Sequence, residues 1–552
     1  MHRLKKLALV SAASVALLTG GYLRACPNCE AISAAAPAVL FQDVTALNRP
    51  ITTASLEAQK YFDQGLTLVY AFNHDEAIRS FKKAAELDPN CAMAWWGVAL
   101  ALGPNYNMDV TPETELAAYQ ALQKAVKLKD KVSQIERDYI DALAVRYTDA
   151  KDPDLKQLAR NYADAMRKLS EKYPDDTDAA TLYADSMMLL RPWKLWKRDG
   201  TPEEGTATIV ATLEEVMRRD PDHLGANHLY IHAVEASPNP EKALPSADRL
   251  PLLSPGSGHV VHMPSHIYIR VGDYNSAATS NEAAIKVDDE YFTTRPRDGA
   301  YRMLYYNHNV HFAAVAHAYD GRPGKARAFA VKLHDEVAPL VAKMPPLEQF
   351  VTVLGLLDLY HKDWDAILAA PRPADGLHIT QALWRFERAV ALTARGDRAA
   401  ADAERQEFNK LRAAIPSDTP YGMLNTAVDV LAIADHVLAA RIAEKDGKID
   451  EAIGHWKQAV DAEAKIQYEE PPAWPLSGCQ SFGGVLLRAG RFTEAEQAFR
   501  EDLKHYPRSG RSLFGLWKAL EGQNRKPEAE MVRRQFETAW KRAETKLTVE
   551  TL

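Results

Sequence analysis

The chain is 552 residues long, 47% hydrophobic and 26% charged, with a formal net charge of −7. That length exceeds what one compact core organises, so several domains or a repeat array are expected. The composition is that of a soluble globular protein, and there is no basic excess of the kind that binding to a nucleic-acid backbone requires, so no nucleic-acid partner is expected.

The first residues read as an export signal. His2, Arg3, Lys5 and Lys6 precede an apolar run from Leu7 to Leu18, followed by Thr19-Gly20-Gly21. That run falls short of the roughly 20 residues a spanning helix needs, which favours a signal peptide over residues 1–25 and an exported chain, in the periplasm or anchored to the envelope. Leu23-Arg24-Ala25-Cys26 is similar to a lipoprotein processing site, with Arg24 departing from the small residue usual there. Simple cleavage and lipidation of Cys26 both stay open, and a lipid on Cys26 is the sole membrane link expected. Cys26 and Cys29 form a CxxC without the strand–helix context of a redox domain, and no His follows to attach haem. A local disulfide or lipidation is preferred to a redox or metal-shuttling pair. Cys91 and Cys479 read as buried small residues.

Residues 26–50 are an Ala/Pro-rich lead-in, expected without regular structure. Beyond them, Ala-rich stretches studded with Glu, Lys and Arg dominate and alternating β-branched runs are scarce, which gives an all-α class. In "HDEAIRSFKKAAELDP" the residues Ala77, Phe81, Ala84 and Pro89 set a small–aromatic–small–proline spacing. Near the other end Ala495, Phe499 and Pro507 repeat it, and the period is about 34 residues. This pattern resembles the tetratricopeptide family, over most of residues 51–545. The resemblance implies an α-solenoid of helix pairs forming a superhelix with a concave groove, each pair burying its apolar face on its neighbours. The stretches 190–205 and 468–478 interrupt the register; both combine Trp with Pro or Gly and read as ordered lids or as packing flaps.

Nine of the 17 histidines fall between His223 and His317, where even scatter would put about three. The register gives their positions meaning. Repeats start at Leu224, Gly258 and Asn307, with an earlier one at Thr177. The resemblance implies that positions 2, 5, 9 and 12 of each first helix face the groove, and at about 100° per residue positions 5 and 9 share one side. Those slots hold His228, His232 and Glu235 in one repeat, His259, His262 and His266 in the next, and His308 and His311 in the third. Imidazoles one turn apart have Cβ atoms about 5–6 Å from each other and can share an ion.

His228, His232, His262 and His266 are expected to bind the ion directly, with Glu235, His308 and His311 completing the set. Asp185 and His259 are expected as outer groups, with Arg270 as a candidate anion holder or a solvated charge. Imidazole ligands suit Zn, Cu or Fe rather than Mg or Ca. A polar pocket for an anionic ligand is the competing reading of the same residues. Phe62, Leu66, Met93, Trp96 and Leu100 form an apolar wall that suits a small ligand or packs on the lead-in.

HExxH, GxSxG, P-loop and dinucleotide glycine patterns are missing from the sequence. Two functions follow. One is an exported metal-binding solenoid, a candidate metalloenzyme on a small organic substrate, with Glu235 or Asp185 as proton acceptor. The other is a non-catalytic envelope scaffold whose groove holds a peptide. The sequence leaves open whether it is an enzyme.

Overall fold

The computed structural model describes residues 37–44, 47–297 and 299–552. The expected signal at 1–25, Cys26 and Cys29 lie outside the described residues. These divide into two compact units, one running to Pro264 and including Ala283–Tyr306, the other comprising Ser265–Glu282 and Asn307–Leu552. Among the described residues no helix is long and apolar enough to cross a membrane.

The first unit is a run of helices: α1 (Leu56–Tyr70), α2 (His74–Leu87), α3 (Ala92–Leu102), α4 (Pro112–Leu128), α5 (Gln134–Ala144) and α6 (Leu155–Lys172). They are followed by α7 (Thr177–Met188), α8 (Thr206–Arg219), α9 (Leu224–Val234), α10 (Leu244–Leu253) and α11 (Gly258–His262). Neighbours in sequence pack as hairpins. Helix starts follow the sequence register: α7, α9 and α11 begin at the residues where repeats were expected to begin. Side-chain caps mark the starts of α1, α2, α7 and α9. Ser55, Asn73 and Asp176 each accept a backbone N–H three residues on, and the ring of His223 does the same for α9.

Packing explains the small–aromatic–small spacing. The ring of Phe81 lies where a Cβ on Gly65 or Gly97 would stand 2.7 Å or 2.5 Å from it, so three elements interlock around one phenyl group. Several hairpins turn through a residue in the left-handed region, placed five residues before the small residue of the second helix. Gly272 and Gly490 serve this role, as expected of a residue with no Cβ. In the first hairpin the position holds Phe72, with φ of 56°.

The lead-in forms no helix or strand where described, yet it is pinned. Phe41 N–H donates to Gln64 at 2.7 Å, and Arg49 pairs with Asp176 and Asp178 at 2.9 Å and 2.7 Å. The stretch 190–205 is an ordered excursion: Trp196 bridges Pro202 and its Nε1–H donates to the Ala233 carbonyl at 2.7 Å.

The second unit repeats the hairpin theme from Asn307–Tyr319 to Lys526–Ala539, with a short antiparallel ladder pairing Pro420–Tyr421 with Asn425–Thr426. Phe499 is seated against Gly483 and Gly515 as Phe81 is against Gly65 and Gly97. Trp474, from the stretch 468–478, is fully buried beside Phe386.

Candidate metal centre

Helix α9 carries His228 and His232 one turn apart. It packs directly on α1, since a Cβ on Gly225 would fall 2.5 Å from the Tyr70 ring. That approach puts His228 Nδ1 2.5 Å from the Tyr70 carbonyl oxygen. Helix α11 contributes His259, whose backbone N–H donates to Tyr301 at 3.1 Å; the Tyr301 hydroxyl in turn donates to Asp288 at 2.9 Å. The rings of His228, His232 and His259 stand 5.0–6.4 Å apart by centroid, and one ligand atom from each lies within 4.8 Å of the other two. All three are at most 1% exposed.

The hydrogen bonds set the tautomers. A carbonyl oxygen only accepts, so His228 Nδ1 carries the proton and its lone pair falls on Nε2. His232 Nδ1 is 2.9 Å from the Glu235 carboxylate, which fixes the same tautomer there. Two imidazoles oriented from behind, with a third beside them, make a donor set suited to a transition ion at about 2.0–2.1 Å.

Aromatic rings surround the three histidines. Phe72 lies 4.4 Å from His228 and stacks on His232 and His259 at 5.9 Å and 5.5 Å. Tyr106 stands 5.1 Å from His232, Tyr305 stands 4.7 Å from His259, and Trp193 stacks on Tyr106 at 5.4 Å. Trp193 also has a left-handed backbone, with φ of 62°. Among the described residues, two of the five non-glycine positions with positive φ therefore carry rings of this site. Such strain persists where the surroundings hold it in place.

The remaining expected residues fall in other settings. Glu235 stands behind His232 as its hydrogen-bond partner. His259, expected as an outer group, stands beside His228 and His232, and the ring of His262 stacks on it at 5.6 Å. The register presumed one helix through positions 5 and 9, but α11 ends at His262 and a new helix starts at Pro264, whose missing N–H suits a first turn. In the second unit His266 Nδ1 is 3.1 Å from Glu470, and its ring stacks on His308 at 5.6 Å. Arg270 reaches the same Glu470 at 3.9 Å and lies over Tyr468. His311 rests against Phe350, and burial holds it down to about 3, so it is neutral.

Asp185 is half-buried on α7. Burial pushes its carboxyl up to about 6, although Arg146 pulls the other way. Trp96 is a core residue, its Nε1–H donating to the Tyr139 carbonyl at 3.2 Å, and it does not join the histidines. Sequence reasoning missed Phe72, Tyr106, Tyr305 and Glu470. Only Phe72 left a signal, as an aromatic residue in a turn slot that Gly272, Gly321 and Gly490 fill in other hairpins.

A tetratricopeptide-repeat family model matches residues 62–131 and 482–532, the two stretches where Phe81 and Phe499 are seated between glycines. The chain carries tetratricopeptide repeats. No curated protein matches it in sequence. Among solved structures it is similar to the human IFIT1 dimer with m7Gppp-AAAA at 14% identity and a TM-score of 0.33, covering 89% of this chain and 91% of that one. For the APC/C hetero-tetramer Cut9-Hcn1 the values are 14% and 0.31, with 91% and 77% covered. For yeast Tom70 they are 12% and 0.29, with 87% and 90% covered. In this tetratricopeptide chain the site is an addition to the scaffold, built where α9 and α11 bring imidazoles under the turn of the first hairpin.

Proposed function

We propose that the tetratricopeptide scaffold of the first unit holds a transition-metal ion, zinc, copper or iron, on His228, His232 and His259, and presents it to a small organic substrate. The observation that supports this reading is the convergence of three buried imidazoles, two with Nδ1 committed to a carbonyl and a carboxylate. Buried histidines kept only for packing have no need of a common focus for their ring nitrogens. Three protein ligands leave a fourth position for substrate or water. Export to the periplasm or envelope completes the reading and rests on the basic start and apolar run of residues 2–18. The scaffold role stands beside it, since repeats of this family serve many unrelated functions by holding a peptide or protein partner.

Elemental analysis of chain stripped with chelator and reloaded tests it. About one ion per chain is expected at this site. His228→Ala/His232→Ala should lose that ion, Glu235→Gln should weaken affinity about 10–100-fold by freeing the His232 ring, and His505→Ala, on the exposed surface, should change nothing. At an ion concentration 100 times Kd the loaded unit gains about 2.7 kcal/mol, which is a melting shift of about 5–10 °C for a unit of this size. A double variant that keeps the ion and the shift refutes the assignment.

A further inference from the structure

Beside the three histidines two buried N–H donors meet no acceptor among the described residues. One is Asn105 Nδ2, on a residue 4% exposed; the other is the indole Nε1–H of Trp193. The orientation of the Asn105 amide is fixed, because its Oδ1 accepts from the Asn107 backbone N–H at 2.9 Å and from the Tyr305 hydroxyl at 3.2 Å. Its other end is therefore the NH2. A buried donor without an acceptor is destabilising, and in a native structure it calls for an explanation.

Both donors belong to the ring of aromatics around the histidines. Asn105 is bonded to Tyr305, which faces His259, and it precedes Tyr106, which faces His232. Trp193 stacks on that same Tyr106 and lies 5.8 Å from His232. The backbone of Trp193 is left-handed, so the chain holds this indole in place against a conformational preference.

We propose that Asn105 and Trp193 bind the carboxylate of a small aromatic acid, whose ring stacks among Tyr106, Trp193 and Tyr305 next to the three histidines. Two neutral N–H donors match the two oxygens of a planar carboxylate, whereas a phosphate dianion would call for cations. The preference for a charged oxygen over a neutral carbonyl rests on the metal-site reading, because a cation on the histidines attracts it. The aromatic walls select the body of the ligand, and the donors fix which end faces the ion.

Benzoate is the probe, titrated by calorimetry into full-length chain with and without zinc, with metal content measured on the same samples. Trp193→Phe keeps the ring and deletes the N–H. Asn105→Asp keeps the oxygen that Tyr305 and Asn107 use and replaces the donor with a repelling oxygen. Wild type should bind benzoate, more tightly when loaded with zinc, and each variant should bind it about tenfold or more weakly while melting as a folded protein. Unchanged affinity in Trp193→Phe overturns the proposal, as does failure of wild type to bind. If zinc binds but benzoate ignores both substitutions, the metal site stands and this pocket falls. If zinc fails to bind yet benzoate binding depends on Asn105 and Trp193, the pocket stands and the metal reading falls.

Discussion

Replacing Phe72 by alanine and by glycine separates two effects that the structure superimposes on one residue. The ring is 4% exposed and touches all three histidines, so truncation removes a buried phenyl group at about 3–5 kcal/mol. The backbone is left-handed at φ of 56°, a conformation that disfavours any residue with a Cβ by about 1–2 kcal/mol. Alanine loses the ring and keeps the strain. Glycine loses the ring and relieves the strain, against about 0.5–1 kcal/mol of extra entropy in the unfolded chain. Both variants should be less stable than wild type, with Phe72→Gly more stable than Phe72→Ala by about 0.5–1 kcal/mol. That order is the reverse of the one in a helix interior, where glycine is the worse residue. Urea unfolding followed by circular dichroism reads it, with equal slopes needed for the midpoints to be compared. If Phe72→Ala is as stable as Phe72→Gly, the turn does not impose the left-handed geometry and the account of Phe72 as a strained site residue is wrong.

Two further outcomes follow from packing and charge. Gly97→Ala and Gly515→Ala would each place a Cβ inside an aromatic ring, at 2.5 Å from Phe81 and 2.2 Å from Phe499, and should destabilise by at least about 1–3 kcal/mol in thermal unfolding. Burial alone would raise the Asp178 carboxyl, but His223, Arg49 and Tyr70 together hold it well below the usual carboxylate range. A native value below the unfolded one contributes stability at neutral pH that is lost as the pH falls below about 4. Asp178→Asn should therefore lower stability at pH 7 and flatten the decline between pH 4 and pH 2; an unchanged acid limb would show that the pairs do not hold in solution.

The repeats were legible because their signal is local. Ala77, Phe81 and Pro89 lie within one helix and its exit, and the same spacing at Ala495, Phe499 and Pro507 fixes register without any knowledge of distant contacts. Helix starts at Leu224 and Gly258 followed from that register alone. The site was legible only in part, for a physical reason. Periodicity says which residues share a side of one helix, so it selected His228 and His232, but it presumes that the next helix runs on unbroken. Pro264 ends that presumption, and His259 at the second position of α11 joins His228 and His232. Asn105–Tyr106 and Tyr305 come from segments far apart in sequence, and no spacing within either points to the other.

What distinguishes this scaffold is where it departs from its own repeat. An aromatic residue replaces the turn glycine at Phe72, and an insertion at 190–205 carries Trp193 onto Tyr106. A glycine at Gly225 lets α9 close on Tyr70, and Pro264 cuts a helix short after five residues. Each departure is locally unfavourable or neutral for a plain hairpin stack, and all four converge on His228, His232 and His259. Sequences that fold well have local preferences that agree with the global structure, and disagreement is tolerated where something else is gained. The Phe72 ring, held there against backbone preference, packs on three imidazoles whose ring nitrogens lie within 4.8 Å of one another.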